Sequence, residues 1–347
     1  MEKQTIIIAL NQLGKVLISL GDNQPWKDNS LGVTQEEYER FEYIIARQFA
    51  FNGWFTADSV RNALKSIGND LTVEKLTAWT DKYQFASNPK RVGVIMAGNI
   101  PLVGFHDFLC VLLSGHKITA KMSSDDKTLL PEIVSLLIQF APELEERITL
   151  SEGRIGDIDA VIATGSDNSM GYFESYFGKY PHIFRKNRTS VAVLDGTETK
   201  EELESLGKDI FTYFGLGCRN VSQLLIPKEF ELNDFFGAMV SNSEIVNHHK
   251  YANNYDYNKA IHLMNQENIL DNGFMLLKES DQLFSPLAML FYHRYNDQQE
   301  VETYLKNNEE HIQAIVGKNY IPFGAAQCPN LDDYADNVNT MSWLEGL

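Results

Sequence analysis

The sequence predicts an α/β protein, with two α/β units built on mainly parallel sheets and a helical N-terminal region before them. Three observations lead there. Residues 1–88 repeat apolar side chains at helical spacing. From residue 91 onward, short β-branched runs alternate with helix-like stretches. The chain is also 347 residues long, beyond the ~250–300 at which a single core stops growing.

The elements follow in order. "TIIIAL" is soon interrupted by Asn11, Gln12 and Lys15 and reads as an amphipathic helix, not a signal peptide. "QEEYERFEYIIARQFAFNGWF", "TADSVRNALKSI" with its Thr-x-x-Ser start, and "LTVEKLTAWTDKY" complete the helical region 1–88. Strands are expected at "RVGVIMA" (91–97), "KITAK" (117–121), "RITL" (147–150), "DAVIA" (159–163) and "SVAVL" (190–194). Helices are expected between them, notably Val103–Ser114 and Thr128–Phe140. This alternation signals βαβ units with right-handed crossovers. A second series has "SQLLI" (222–226), helices through Asn265, "FMLLK" (274–278), "AMLFYH" (288–293) and "IQAIV" (312–316). The boundary is expected near "LDGTETKEEL" (194–203), which separates 89–197 from 198–318. Residues 319–347 are expected to return to the first unit or to a subunit interface, with "NTMSWLEGL" as a strand pairing across it.

Composition narrows the function. A net charge of −17 would repel nucleic acid. Three cysteines, Cys110, Cys218 and Cys328, are too few and odd in number for a disulfide framework, so reduced thiols and a cytoplasmic location are expected. No stretch approaches the ~20 apolar residues of a membrane span. No metal is expected: there is no HExxH or CxxC, and His248 and His249, adjacent on a helix, should point apart. His106 and His116 read as structural or surface residues.

Several strand ends carry candidate chemistry. In "VIMAGNIPLVGFHDF", Gly-Asn turns after a strand, and Pro101 falls where a first helical residue would. Asn99 is then either a cap or a side-chain amide at the ligand-binding end of a sheet. In "AKMSSDDK", Lys121, Ser123 and Ser124 suit ribose or phosphate oxygens as well as they suit a solvated turn. In "VIATGSDNSMGYF", Gly165 and Ser166 precede a helix whose N-terminus suits a pyrophosphate, although no GxGxxG is present. "FRKNRTS" clusters Arg185, Lys186 and Arg188 either in a solvated turn or around an anion. Cys218, in "FTYFGLGCRNVSQLLIP", is either a nucleophile with glycines leaving room around it or a buried thiol. Cys110 reads as core, and Cys328 as a loop thiol.

The order "GNIPL", "KMSS", "ATGS", Gly-x-Gly-Cys, "LFSPL", "IPFG" resembles the aldehyde dehydrogenase superfamily. "NGWFTADSVRNAL", "AGNIPLVGFHDFLCVLLSGHK" and "FGLGCRNVSQLLIP" are similar to the LuxC-like acyl-CoA reductase family, over roughly residues 40–345. The resemblance implies a Rossmann-like cofactor domain at 89–197 and a catalytic domain at 198–318. It implies Cys218 as nucleophile, with Asn99 and the Cys218 N–H as oxyanion donors. It places Lys121 at the adenine-side ribose, Gly165 and Ser166 at the pyrophosphate, and Phe284 near the nicotinamide. Three departures stand out. Phe184 holds the place of the glutamate that assists deacylation by water, with no carboxylate from His182 to Ser190. Gln282 replaces the ribose-binding glutamate. Ser124 replaces the glutamate common in NAD-dependent relatives, which favours NADPH. The implied activity is NADPH-dependent reduction of an acyl-CoA, fatty acyl-CoA above all, to an aldehyde through an S-acyl enzyme. The alternatives are an acyl phosphate, an acyl group delivered by a protein partner, or a cofactor-binding subunit without turnover. A homo-oligomer is expected.

Overall fold

The computed structural model describes residues 2–347. The chain divides into two units, Met1–Lys186 with Asn330–Leu347, and Asn187–Pro329. In the first unit, four helices come before any strand: α1 (Lys3–Gly21), α2 (Gln35–Phe51), α3 (Ala57–Asp70) and α4 (Val73–Thr80). Threonines start three of them. Thr34 forms a reciprocal capping box with Glu37, while Thr56 and Thr72 accept the amides of Ser59 and Lys75. Two glycines let α1 and α3 cross closely. A Cβ on Gly14 would lie 2.9 Å from Leu71 Cβ, and one on Gly68 would lie 2.8 Å from the Gly14 carbonyl oxygen. By length and mean hydropathy of 1.2, α1 alone among the described helices is long and apolar enough to cross a membrane, which the sequence reading did not anticipate. Its buried face, including Ile6, Leu10, Leu13 and Leu17, is part of the core of the first unit.

The first sheet then alternates with helices: β1 (Arg91–Ile95), α5 (Phe105–Leu113), β2 (Lys117–Lys121), α6 (Leu129–Phe140), β3 (Ile148–Ser151), β4 (Ala160–Thr164), α7 (Asp167–Phe177) and β5 (His182–Arg185). All pairings are parallel, in the order β3-β2-β1-β4-β5. The chain therefore winds outward from β1 to β3 and crosses back to β4. Between β1 and β4 the winding reverses, the place where open α/β sheets receive ligands at their carboxyl ends.

The second unit has β6 (Thr189–Val193), α8 (Lys200–Phe211), β7 (Val221–Pro227), α9 (Leu232–Met239), α10 (His249–Met264), β8 (Leu270–Asp271), β9 (Leu276–Glu279), β10 (Met289–Tyr295), α11 (Gln298–Asn307) and β11 (Ile312–Val316). Its sheet runs β11-β6-β7-β10-β9-β8, parallel except for the short β8–β9 pair.

Several expectations need correction. The boundary lies at Lys186/Asn187, not near residue 197, because β6 pairs with β7 and β11. The C-terminal stretch expected as a strand is a helix, α12 (Thr340–Glu345), capped by Asn339, whose side chain accepts the Ser342 amide at 2.9 Å. It belongs to the first unit, where its Leu344 carbonyl meets His116 Nε2 at 2.9 Å. Pro101 does not start α5. Residues 101–104 form a turn, with Leu102 at φ 57°, and the helix begins at Phe105. Arg185 is neither in a solvated turn nor placed to meet a ligand. It is 3 % exposed, pairs with Asp107 at 2.7 and 2.9 Å, and donates to the Ala335 carbonyl and Thr340 hydroxyl of the returning segment. The rings of His248 and His249 do not point apart: they stack with centroids 5.3 Å apart, and His248 caps α10.

Candidate active site

Each unit holds part of the expected constellation. In the first unit, β1, β2 and β4 are neighbours, and their carboxyl ends release three loops. Asn99 follows β1 and is exposed; Lys121 ends β2, with Ser123 half-buried and Ser124 exposed beyond it; Gly165 and Ser166 follow β4. The ladder continues past the strands, since Met96 N–H donates to the Lys121 carbonyl at 3.0 Å. The first two loops are packed together. A Cβ on Gly98 would lie 2.5 Å from Ser123 Oγ, so glycine is required there. Asn52, at the C-terminus of α2, donates from Nδ2 to the Gly98 carbonyl at 3.3 Å and to the Asp125 carbonyl at 3.4 Å. Asp126 Oδ2 accepts the Leu102 amide at 2.7 Å, and burial raises its carboxyl group to about 6.

At the third loop, Ser166 precedes α7 without a side-chain cap bond, and its carbonyl accepts the Ser169 amide at 2.8 Å. Gly165 is small for a protein reason: a Cβ there would lie 2.9 Å from Ser169 Cβ and 3.0 Å from the Phe173 ring. Phe184, in β5, belongs to the same aromatic cluster, 4.0 Å from His182 and 5.8 Å from Phe173 between ring centroids.

In the second unit, Cys218 lies half-buried in a turn at the amino end of β7. The chain leaves α8 through three consecutive left-handed residues, Tyr213 (φ 54°), Phe214 (φ 60°) and Gly215 (φ 82°). Only the last is a glycine, so this bend is strained. Asn220 holds it. Its Nδ2 donates to the carbonyls of Asp209, Ile210 and Thr212 at 3.1, 3.2 and 2.8 Å, and its Oδ1 accepts the Gly217 amide at 2.8 Å. Its own amide closes the turn onto the Gly217 carbonyl at 3.0 Å, while Ser190 Oγ donates to the Cys218 carbonyl at 3.1 Å. The nucleophile candidate thus stands on a backbone fixed by these bonds and is itself half-buried.

Gln282 and Phe284 lie exposed in the loop between β9 and β10. A relay of hydroxyls ties that loop to the cysteine turn. Thr189 Oγ1 lies 3.2 Å from the Asn220 carbonyl and 2.7 Å from Ser222 Oγ, which donates to the Leu283 carbonyl at 2.7 Å. The Phe284 ring meets His311 edge-on at 6.2 Å. Within this unit, the Cys218 turn and the Phe284 loop therefore share one hydrogen-bonded support.

A sequence profile of the acyl-CoA reductase (LuxC) family matches residues 23–317, spanning both sets of loops. The chain belongs to the acyl-CoA reductase (LuxC) family. No curated protein matches the sequence. Solved structures are similar in fold. Aldehyde dehydrogenase 21 from Physcomitrella patens, in complex with succinate, superposes with a TM-score of 0.61 at 11 % identity, over 92 % of this chain and 74 % of that one. The aldehyde dehydrogenase KauB from Pseudomonas aeruginosa gives 0.61 at 11 %, covering 91 % and 72 %. A mutant of the P. syringae indole-3-acetaldehyde dehydrogenase AldA, in complex with NAD+ and IAA, gives 0.57 at 13 %, covering 91 % and 72 %. The chain thus has the aldehyde dehydrogenase fold.

Sequence reading missed the residues that hold these loops: Asn52, Asp126, Asn220 and the Thr189–Ser222 pair. For Asn220 a signal was present. An asparagine two residues after a cysteine, in a Gly-Leu-Gly-Cys turn, is well suited to bond nearby backbone. Asn52 and Asp126 act on backbone 46 and 24 residues away, and no local pattern shows that.

Proposed function

We propose that this family member reduces an acyl-CoA thioester to an aldehyde with NADPH, through an S-acyl enzyme on Cys218. The observation that carries the reading is the Cys218 turn: a half-buried thiol on a backbone fixed by Asn220 and Ser190, in a chain whose family is named for acyl-CoA reduction. The donor set at the first sheet's carboxyl edge suits an anionic dinucleotide, with Lys121, the hydroxyls of Ser123 and Ser124, and the uncapped start of α7. Gln282 and Phe284 would meet its nicotinamide half. A reduced nicotinamide, when bound, supplies the hydride that the reduction needs.

The protein's own part is acyl transfer. The Cys218 thiolate attacks the thioester carbonyl, forming the new C–S bond. The Asn99 amide and the Cys218 N–H stabilise the developing oxyanion, a donor of this kind contributing about 3–4 kcal/mol. The old C–S bond then breaks and CoA leaves as its thiolate. Cys218 Sγ holds the acyl group until it is reduced, then releases the aldehyde and returns to thiolate. Phe184 and its aromatic neighbours put no carboxylate where the family resemblance implies a water-activating one, so hydrolysis of the acyl enzyme is disfavoured.

Intact mass of the protein mixed with an acyl-CoA series tests this. An adduct that requires Cys218 and leaves as aldehyde on addition of NADPH is the expected result, and its dependence on chain length names the substrate. Absence of an adduct with every acyl-CoA, in protein that still binds NADPH, overturns the acyl-CoA reading in favour of acyl phosphates, carrier-bound donors or a subunit without turnover. Ser124 lacks the charge that would oppose a 2′-phosphate, while the exposed carboxylate of Asp125 stands beside it, so the ratio of kcat/KM for NADPH and NADH is the second measurement.

A further inference from the structure

We propose that Asp126 and Asn52 are the positioning residues of Asn99, holding the turn that carries it at both ends; the inference rests on the reading of Asn99 as an oxyanion donor. Three observations lead to it.

Leu102 stands at φ 57°, a conformation that bulky residues rarely adopt and that persists only when the surroundings impose it. Its amide has a buried acceptor. Asp126 Oδ2 takes the Leu102 amide at 2.7 Å, three residues after Asn99. Asp126 is also an expensive residue for that task. It is 8 % exposed, its Oδ1 is buried without a hydrogen-bond partner among the described residues, and burial raises its pKa to about 6 against the pull of the Leu102 amide. A buried carboxylate with one oxygen unsatisfied is costly to keep, so its one good contact has to be worth keeping. The third observation is at the other end of the turn. The peptide linking Gly98 to Asn99 has its carbonyl held by Asn52 Nδ2 at 3.3 Å, and Asn52, 9 % exposed, is itself oriented by the Trp54 amide on its Oδ1 at 3.0 Å. Asn52 reaches the Asp125 carbonyl as well, and the Asp126 amide donates to the Ser123 carbonyl at 3.2 Å. The loop expected to meet the cofactor and the loop carrying Asn99 are thereby one clamped piece.

This arrangement makes Asp126 and Asn52 act on the acyl-transfer step through Asn99, without touching the substrate. Four proteins test it: the wild type, Asp126→Ala, Asp126→Asn and Asn52→Ala. Three readouts are taken on each: the single-turnover rate of Cys218 acylation by the acyl-CoA that labels wild type fastest, NADPH affinity, and hydrogen exchange of residues 99–104. Asp126→Ala is expected to slow acylation by at least about thirtyfold and to speed exchange of the segment. Its NADPH affinity should stay within about threefold of wild type. Asp126→Asn keeps an oxygen for the Leu102 amide and should restore acylation to within about threefold of wild type. Asn52→Ala should fall between the two. A role in stability alone would lower the melting temperature and leave the acylation rate of the folded protein unchanged. Wild-type acylation in folded Asp126→Ala, or an Asp126→Asn as slow as the alanine variant, overturns the proposal. If Asp126→Ala does not fold, Asp126→Glu, which displaces the same carboxyl by one methylene, takes its place under the same criteria. Absence of any adduct on wild-type Cys218 defeats the functional reading instead. In that case the exchange of 99–104 still decides whether Asp126 holds the turn.

Discussion

Burial lifts the carboxyl group of Asp126 from 3.8 to about 6, against the downward pull of the Leu102 amide. The folded state therefore binds this proton more tightly than the unfolded chain does. Between pH 4 and 6 the native state carries the extra proton, so the stability this group contributes is fullest below pH 4 and is lost as pH rises through 6. The loss is about 3 kcal/mol for a shift of roughly two units. Urea denaturation at pH 5 and pH 7.5 should show wild type losing stability relative to Asp126→Asn as pH rises. A constant difference between the two proteins would show that the group does not titrate in this range. Ser124 is the second residue with a sharp expectation. Ser124→Glu puts a carboxylate where the resemblance places the adenine-side ribose, and should raise the NADPH KM by at least about tenfold while leaving the NADH KM within about threefold. Equal effects on both cofactors would remove Ser124 from the 2′-phosphate site.

At the scale of elements, two buried polar knots carry the loops and the edges. Asn220 makes five hydrogen bonds with the backbone of residues 209–217. Four use its side chain, and Asn220→Ala should cost about 2–4 kcal/mol, because it leaves buried carbonyls and the Gly217 amide without partners. Arg185 is the other knot. Arg185→Met strands the Asp107 carboxylate inside the first unit and should cost about 3–5 kcal/mol, whereas the double variant Arg185→Met with Asp107→Leu should recover much of that loss. Equilibrium denaturation of the four proteins checks both.

The same elements show what the sequence made legible. Strands such as β1, β2 and β4 are buried on both faces and announce themselves as β-branched runs. β5 does not, because "HIFR" is a short edge strand that mixes an aromatic, a histidine and a buried arginine. α12 was misread because its apolar residues are few; Asn339 before Ser342 was the available cap signal. The order of strands was legible only as alternation, since β6 joins the second sheet through partners far along the chain. The candidate cysteine was visible from its glycines. The left-handed bends beside it and at Leu102 were not, because each is bonded by a buried side chain outside the bend.

At the scale of the whole molecule, each unit has its own core, and the first is assembled from two separated stretches of chain. Residues 330–347 give Arg185 its Ala335 and Thr340 partners, give Trp79 the hydroxyl of Tyr334 at 2.8 Å, and give His116 the Leu344 carbonyl. A protein ending at Pro329 should show the first unit melting at a lower temperature, while the second keeps the wild-type transition; calorimetry would resolve the two. The division also orders events during translation. The continuous unit, Asn187–Pro329, can complete its sheet from one unbroken stretch of chain, but the first unit must wait for residues 330–347, made after that stretch, to cover Arg185 and Trp79. The unit whose synthesis begins first is thus the unit whose stretch of chain is completed second.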